Sequence, residues 1–320
     1  MKKVVILINA ISASAAEDEL DVLDQACVVE NALEALGYET VRLFTGIDLE
    51  ETSEKLLKIK PWFVFNLVES LDGDGKLIHL APVLLEHLKI PYAGCPAESI
   101  YVTGNKTLSK KIMMAAGLPA PEFWDFSSDT DPSALFIAKP VMEDASVGIE
   151  EENILPGDPE KISEFRKAHP DINYFFERYI TGREFNISVL GGKKGPEVLS
   201  IPEIIFDKYP KDKPRIIGYR AKWDEESFEY KHTLRAFGLE KKEPLLAEKL
   251  KKICTDCWHL FGLKGFARVD LRVDESGNPW ILEVNANPCL SDDAGFYAAT
   301  QEAGYDFTDV MKRIIEDVWT

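Results

Sequence analysis

The stretch ARVDLRVDESGNPWILEVNANP, residues 267–288, sets two runs of alternating apolar residues around the turn-forming cluster Asp274-Glu275-Ser276-Gly277-Asn278. Such a pattern reads as a β-hairpin. A two-residue turn at Ser276-Gly277 places Asp270 opposite Glu283 and Arg268 opposite Asn285. Strand side chains alternate faces, so these four share one surface, with Val269, Leu271, Leu282 and Val284 on the other. Directly opposed carboxylates repel and destabilise a ladder, so this pair calls for something positive beside it. Two acids and an amide oxygen suit a hard cation such as Mg²⁺. A solvated hairpin face, with Arg268 offsetting the acids, accounts for the same residues.

The 320 residues suggest two or three domains. A hydrophobic content of 45% with 29% charged residues is ordinary for a soluble globular chain. The net charge of −18 and a pI near 4.8 argue against a nucleic-acid or anionic-membrane surface. A polyanionic ligand would need a local basic pocket or a metal. No apolar run approaches the ~20 residues of a membrane helix. Lys2-Lys3, VVILINAI and SASAA together imitate a signal peptide, but a short apolar run leading into a helix reads better as a buried first strand. The five cysteines are an odd, scattered set that fits a reducing, cytoplasmic setting. CTDC (254–257) lies within a helical pattern from Pro244 to Phe261 and has no second pair to complete a zinc site, so its thiols read as helix residues. His79 and His87, in one apolar helical segment, form no ligand motif.

The first ninety residues alternate strand and helix: VVILIN, a helix with Val22, Ala26, Val29, Leu33 and Leu36 on one face and stopped by Gly37, ETVRLF, a helix near 49–58, WFVFNL, and a helix from 76 to 88. This order implies a parallel sheet covered by helices. No G-x-G-x-x-G follows the first strand, which argues against a dinucleotide there, and no P-loop motif occurs, which excludes that mode of nucleotide binding. Further on, GNKTLSKKIMMAAGLPAP reads as a helix ending at Gly117, LFIAKP and NYFFERYI as strands, and VMEDASVGIEEE as a loop. The charged and aromatic segment 206–232 reads as a long loop of the kind that often forms a lid.

In order and spacing, PYAG…GNKTLSKKIMMAAGLPAP, AKP…ASVG, GREF, GYRAKW and GFARVDLRVD…ILEVNANP resemble the ATP-grasp superfamily, and within it the D-alanine–D-alanine ligases and their relatives. The resemblance covers nearly the whole chain. It implies an α/β fold with a Rossmann-like N-terminal domain (1–96), a central ATP-grasp part (97–185) and a C-terminal antiparallel-sheet part with lid and metal site (186–320). It also implies that ATP binds between the last two parts with two Mg²⁺ (or Mn²⁺). Asp270, Glu283 and Asn285 match the metal ligands; Lys106 and Lys139 match lysines on the nucleotide phosphates. Glu177 matches an acceptor of the adenine amino group, completed by backbone groups of Arg178, Tyr179 and Ile180, and Glu184 matches a ribose acceptor. The loop 144–148, with Ser146, Val147 and Gly148, matches the phosphate-covering loop. Lys222 matches a lid lysine at the transferred phosphate, and Arg268 an arginine that stabilises the tetrahedral oxyanion. The implied reaction activates a carboxylate as an acylphosphate, which an amine then attacks. Homodimers are usual in the family.

The departures lie on the substrate side. After the first strand the family's Ser-Ala-Glu-Arg-Glu motif is replaced by SASAAEDELDVLDQ, and its Leu-His-Gly by NLVES, with Glu69 near the histidine position. Ala145 stands where the phosphate loop has serine, Trp223 where the lid has tyrosine, and Ala294 where a serine helps grip the acceptor carboxylate. Glu69, Trp223, Cys289, Asp292 and Asp293 are therefore the candidate substrate residues, and the two aspartates would favour a positively charged acceptor. N-capping of the helix that follows is their alternative role. The expected function is an ATP-dependent carboxylate–amine ligase acting on small amino-acid-like molecules, with different substrates. A true cell-wall D-alanine–D-alanine ligase and a ligase that modifies peptide or protein termini are alternatives. A non-catalytic nucleotide-binding module fits less well, because neither Lys222 nor Arg268 is needed merely to hold ATP.

Overall fold

The computed structural model describes residues 2–12, 17–124, 134–143 and 146–319. Its first part runs β1 (Lys3–Asn9), α1 (Glu17–Ala35), β2 (Glu39–Thr45), α2 (Leu49–Ile59), β3 (Phe63–Asn66), α3 (Leu80–His87) and β4 (Tyr92–Ala93). The four strands are parallel in the order β2-β1-β3-β4. β1 is buried from Val4 to Asn9, which is why its sequence is a continuous apolar run. α1 covers it with Val22, Ala26, Val29 and Leu33, and Gly37 adopts a positive φ of 82° just beyond the helix. The helix expected over 76–88 divides into a 3-10 turn, Gly75–Leu77, and α3. Pro82 explains the break: it falls in the first turn of α3, where no backbone donor is needed, whereas a longer helix would hold it in the interior.

The chain continues through α4 (Ala97–Gly104), α5 (Lys106–Ala115), β5 (Leu135–Pro140), β6 (Ile154–Pro156), α6 (Pro159–Ala168) and β7 (Tyr174–Arg178). These strands form an antiparallel sheet, β6-β5-β7, packed on α6 through Phe136, Phe165, Tyr174 and Phe176.

The remainder comprises β8 (Arg183–Leu190), β9 (Glu197–Val198), β10 (Glu203–Phe206), α7 (Tyr219–Trp223), α8 (Phe228–His232), β11 (Thr233–Ala236), α9 (Leu239–Lys242), α10 (Pro244–Leu260), β12 (Phe266–Val273), β13 (Pro279–Asn285), α11 (Gly295–Glu302) and α12 (Phe307–Asp317). Its antiparallel sheet has the order β11-β10-β8-β12-β13, with β9 beside β8. α10 buries Leu250, Cys254, Cys257 and Trp258 in a core shared with this sheet, so both thiols of CTDC are packing residues. α11 and α12 turn back onto the first sheet: Phe296, Val310, Met311 and Ile314 share one core with Val4, Ile6 and Val22. That return brings the end of β13 to face the ends of β1 and β3. No helix among the described residues is long and apolar enough to cross a membrane.

The segment 206–232 is more ordered than a plain loop, since α7 and α8 lie within it. Lys213 ties it down through ion pairs with Glu151 and, at 2.7 Å, with Glu229.

Candidate active site

β12 and β13 pair Asp270 with Glu283 and Arg268 with Asn285, as the alternation predicts. The two-residue turn does not form. Asp274 accepts from the backbone N–H groups of Ser276 and Asn278 and from the Trp280 indole, which closes a longer loop from Asp274 to Asn278. The odd residue is absorbed by a β-bulge: the register shifts after Asp270, and Leu271 pairs with Ile281. Leu282 therefore departs from its expected core position. Ile281 fills the core, and Leu282 and Glu283, consecutive in sequence, both line the cleft.

The opposed acids are held by the chain's own cations. Arg268 donates from Nε and Nη2 to the two oxygens of Asp270, at 2.7 and 2.8 Å, and approaches Glu283 at 3.7 Å. Lys106 lies 3.6 Å from Glu283. Burial pushes Asp270 above the ordinary carboxylate range, only partly offset by Arg268. Burial pushes Glu283 the same way, but Lys106, Arg268, Lys222 and Lys139 together outweigh it and hold that carboxyl well below its usual value. Asn285 Oδ1 accepts from the Asn287 N–H at 2.8 Å. Among the described residues no three His, Cys, Asp or Glu side chains form a metal cluster. The candidate donor set is thus two carboxylates and an amide, all oxygen, which fits Mg²⁺ or Mn²⁺ rather than a thiophilic ion.

These residues face a cleft of about 820 Å³. On one side, β5 and β7 bring Lys139 to 2.8 Å from Glu177. Glu177 is fully buried, and its other oxygen meets Lys110 at 2.6 Å. Burial lowers the Lys110 ammonium to about 8, with Glu177 opposing the shift. Arg178, Tyr179 and Ile180 continue the same wall. Glu184 receives the Arg272 Nε and Nη2 groups on one oxygen, at 3.0 and 2.7 Å, while Arg272 Nη1 donates to the Ile180 carbonyl.

The roof is made by the 146–149 loop and α7. Ser146 donates to the Ile217 carbonyl at 2.8 Å, and the Tyr219 N–H to that of Ile149. Ser146, Val147, Lys222 and Trp223 line the cleft. Gly148 stands behind them, with a positive φ of 71° and its carbonyl accepting from Tyr174. Lys106 is buried at the N-terminus of α5, behind the cleft wall, and donates to the Glu143 carbonyl at 2.6 Å. Ala145 lies outside the described residues.

The far end of the cleft joins the first sheet to the β13–α11 loop. Gln25 donates to Asp21 at 3.2 Å and to Glu69 at 2.9 Å, and the Cys289 thiol donates to Asp21 at 2.9 Å. Burial raises Asp21 above the ordinary carboxylate range. Ser291 donates to Asp293 at 2.9 Å. Asp293 lines the cleft, whereas Asp292 is exposed outside it. Neither caps α11: Ala294 occupies the N-cap position and makes no side-chain bond there. Arg235, on β11, reaches over this loop to the Asp293 carbonyl at 3.4 Å.

Lys110, Arg272, Asp21, Gln25 and Arg235 are site residues that the sequence reading passed over. Two carried a usable signal. Arg272 follows Arg268 and Asp270 at the same two-residue spacing, hence on the same strand face. Lys110 is four residues after Lys106, hence on the same helix face. The others depend on long-range packing.

A family model for the D-ala D-ala ligase C-terminus matches residues 112–316. A D-alanine–D-alanine ligase of Acinetobacter baumannii (strain SDF) is 30% identical over 245 residues, covering 73% of each chain. The uncharacterized protein y4sG of Sinorhizobium fredii (strain NBRC 101917 / NGR234) is 28% identical over 297 residues, covering 89% of this chain and 84% of its own. In fold, the chain is similar to the crystal structure of the Bacillus anthracis D-alanine–D-alanine ligase complexed with ATP, with a TM-score of 0.74 at 20% identity and coverage of 100% and 98%. The chain belongs to the D-alanine–D-alanine ligase family of ATP-grasp enzymes, which couple ATP to carbon–nitrogen bond formation.

Proposed function

We propose that this chain joins the carboxylate of one small amino-acid-like molecule to the amine of another, at the expense of ATP, with a substrate pair other than two D-alanines. The observation that carries the reading is one cleft with two different ends. Lysines, Arg268 and an oxygen-only acid pair surround one end, and Asp21, Glu69 and Asp293 line the other. ATP is seated along the Glu177–Ile180 edge with its ribose at Glu184, and its phosphates extend toward Lys139 and Lys106 under Ser146–Gly148. Asp270, Glu283 and Asn285 would hold Mg²⁺, which supplies neutralisation of phosphate charge. The donor carboxylate oxygen bonds to the γ-phosphorus and ADP leaves, with Lys222 over the moving phosphoryl group. The acceptor nitrogen then bonds to the acyl carbon, Arg268 steadies the oxyanion, phosphate departs and the amine proton passes to it or to water. Asp21 and Glu69 favour an acceptor that carries a cationic group.

This reading keeps the division near residues 96 and 185, places the enzyme in the cytoplasm and takes it as a homodimer. The test is ADP release with ATP and Mg²⁺ against a panel of neutral, acidic and basic amino acids in both stereochemistries, with dipeptides. Stimulation by a basic or polar amino acid above D-alanine is expected. Strong turnover with D-alanine alone would return the chain to cell-wall synthesis, and stimulation by dipeptides alone would make it a peptide-modifying ligase.

A further inference from the structure

The Lys110 ammonium is 1% exposed and spans three elements. From α5 it forms an ion pair with Glu177 on β7 at 2.6 Å, and it donates to the Leu282 carbonyl on β13 at 2.7 Å and, more distantly, to the Ile281 carbonyl at 3.4 Å. A carboxylate and two carbonyls thus surround the ammonium. Neutralising Glu177 does not require it, because Lys139 already meets the other oxygen at 2.8 Å. A buried charge is costly, and an apolar side chain would fill the same space without that cost. What Lys110 adds is the second attachment. Leu282 is the extra residue of the β13 bulge, where ladder pairing is interrupted. The next residue is Glu283, which keeps its place opposite Asp270 and faces the cleft.

We propose that Lys110 is a positioning residue that pins the β13 bulge to Glu177, so that the edge receiving the nucleotide base and the strand bearing the metal-binding carboxylate keep a fixed separation. This rests on the reading of Glu177 and Glu283 given above. Lys110 touches neither nucleotide nor metal in this scheme; it acts through Glu177 and through the main chain beside Glu283.

The test uses equilibrium binding to the full chain. ATP affinity is measured by calorimetry, and Mn²⁺ affinity by electron paramagnetic resonance at concentrations of a non-hydrolysable ATP analogue that saturate each protein. The proteins are the parent, Lys110→Met and Glu177→Gln, with circular dichroism confirming that each is folded. Lys110→Met should weaken both ATP and Mn²⁺ at least tenfold, whereas Glu177→Gln should weaken ATP and leave Mn²⁺ within about twofold. If Lys110→Met weakens ATP alone, or neither ligand, the strut is overturned. If Glu177→Gln leaves ATP unchanged, the base-edge reading of Glu177 falls, and with it that half of the strut. If Lys110→Met does not fold, Lys110→Gln carries the same comparison, because its amide still donates to the Leu282 carbonyl. It should then spare Mn²⁺ affinity more than ATP affinity, and an equal loss of both would count against the proposal.

Discussion

Replacing Arg272 with Met removes the donors that keep Glu184 buried. Arg272 and Glu184 are 3% and 5% exposed, so the carboxylate left behind has little access to water. The substitution deletes two charge-assisted bonds to Glu184, one to the Ile180 carbonyl and one to the Arg215 carbonyl, as well as the guanidinium contact 5.1 Å from the Tyr179 ring. Breaking a buried ion pair from one side costs about 3–5 kcal/mol. Against a typical stability of ~5–15 kcal/mol, this is a large loss. Arg272→Met with Glu184→Leu removes the stranded charge as well, but the Ile180 and Arg215 carbonyls still lack a donor. The double variant should therefore lie only ~1–3 kcal/mol below the parent. Urea titration followed by tryptophan fluorescence measures both differences, and the coupling between the two sites is their non-additivity. An Arg272→Met protein within about 1 kcal/mol of the parent would refute this reasoning, as would a double variant no more stable than the single.

Asp270→Asn and Glu283→Gln should each lower Mg²⁺-dependent ADP release by more than about a hundredfold while the far-ultraviolet spectrum is kept, since each leaves one carboxylate for the cation; undiminished turnover in both would remove the metal assignment. Lys222→Ala should lower kcat at least tenfold with ATP affinity changed much less, because its proposed place is at the transferring phosphate. Equal losses in affinity and turnover would make it a general electrostatic residue. Asp274→Ala should cost about 1 kcal/mol at neutral pH, the net worth of its exposed turn bonds. The Trp280 bond, first among several, holds the Asp274 carboxyl below its ordinary value. Its contribution is therefore fully present above the unfolded value near 3.8 and lost as pH falls through the lower folded one. Denaturation of parent and variant should converge in acid, and a gap that persists there would contradict the assignment.

Local periodicity made most of the fold legible. The apolar run of β1, the face of α1 and the alternation of β12 each report which side of an element is buried. The same alternation placed Asp270 against Glu283. It failed at Leu282, because a bulge is set by how the Asp274 loop closes, and spacing within β13 does not record that. It stopped short at Arg272, although the rule that grouped Arg268 with Asp270 extends to it. Lys110 shares the Lys106 face of α5, but its partners, Glu177 and the Leu282 carbonyl, lie far away in sequence. The Asp21–Gln25–Glu69 group is likewise assembled by the return of α11 and α12 onto the first sheet. The split of the third predicted helix, by contrast, was readable from Pro82.

The most direct measurement follows oxygen. A carboxylate donor labelled with ¹⁸O, chosen from the amino acids that stimulate ADP release, is incubated with ATP, Mg²⁺ and the acceptor, and the released phosphate is analysed by mass spectrometry. Attack of the carboxylate on the γ-phosphorus, followed by attack of the amine on the acyl carbon, leaves one donor oxygen in the phosphate. One ¹⁸O per phosphate, matched to one amide formed, is the result predicted here. Unlabelled phosphate accompanying ADP would mean that water takes the phosphoryl group, and would contradict acylphosphate ligation in this cleft.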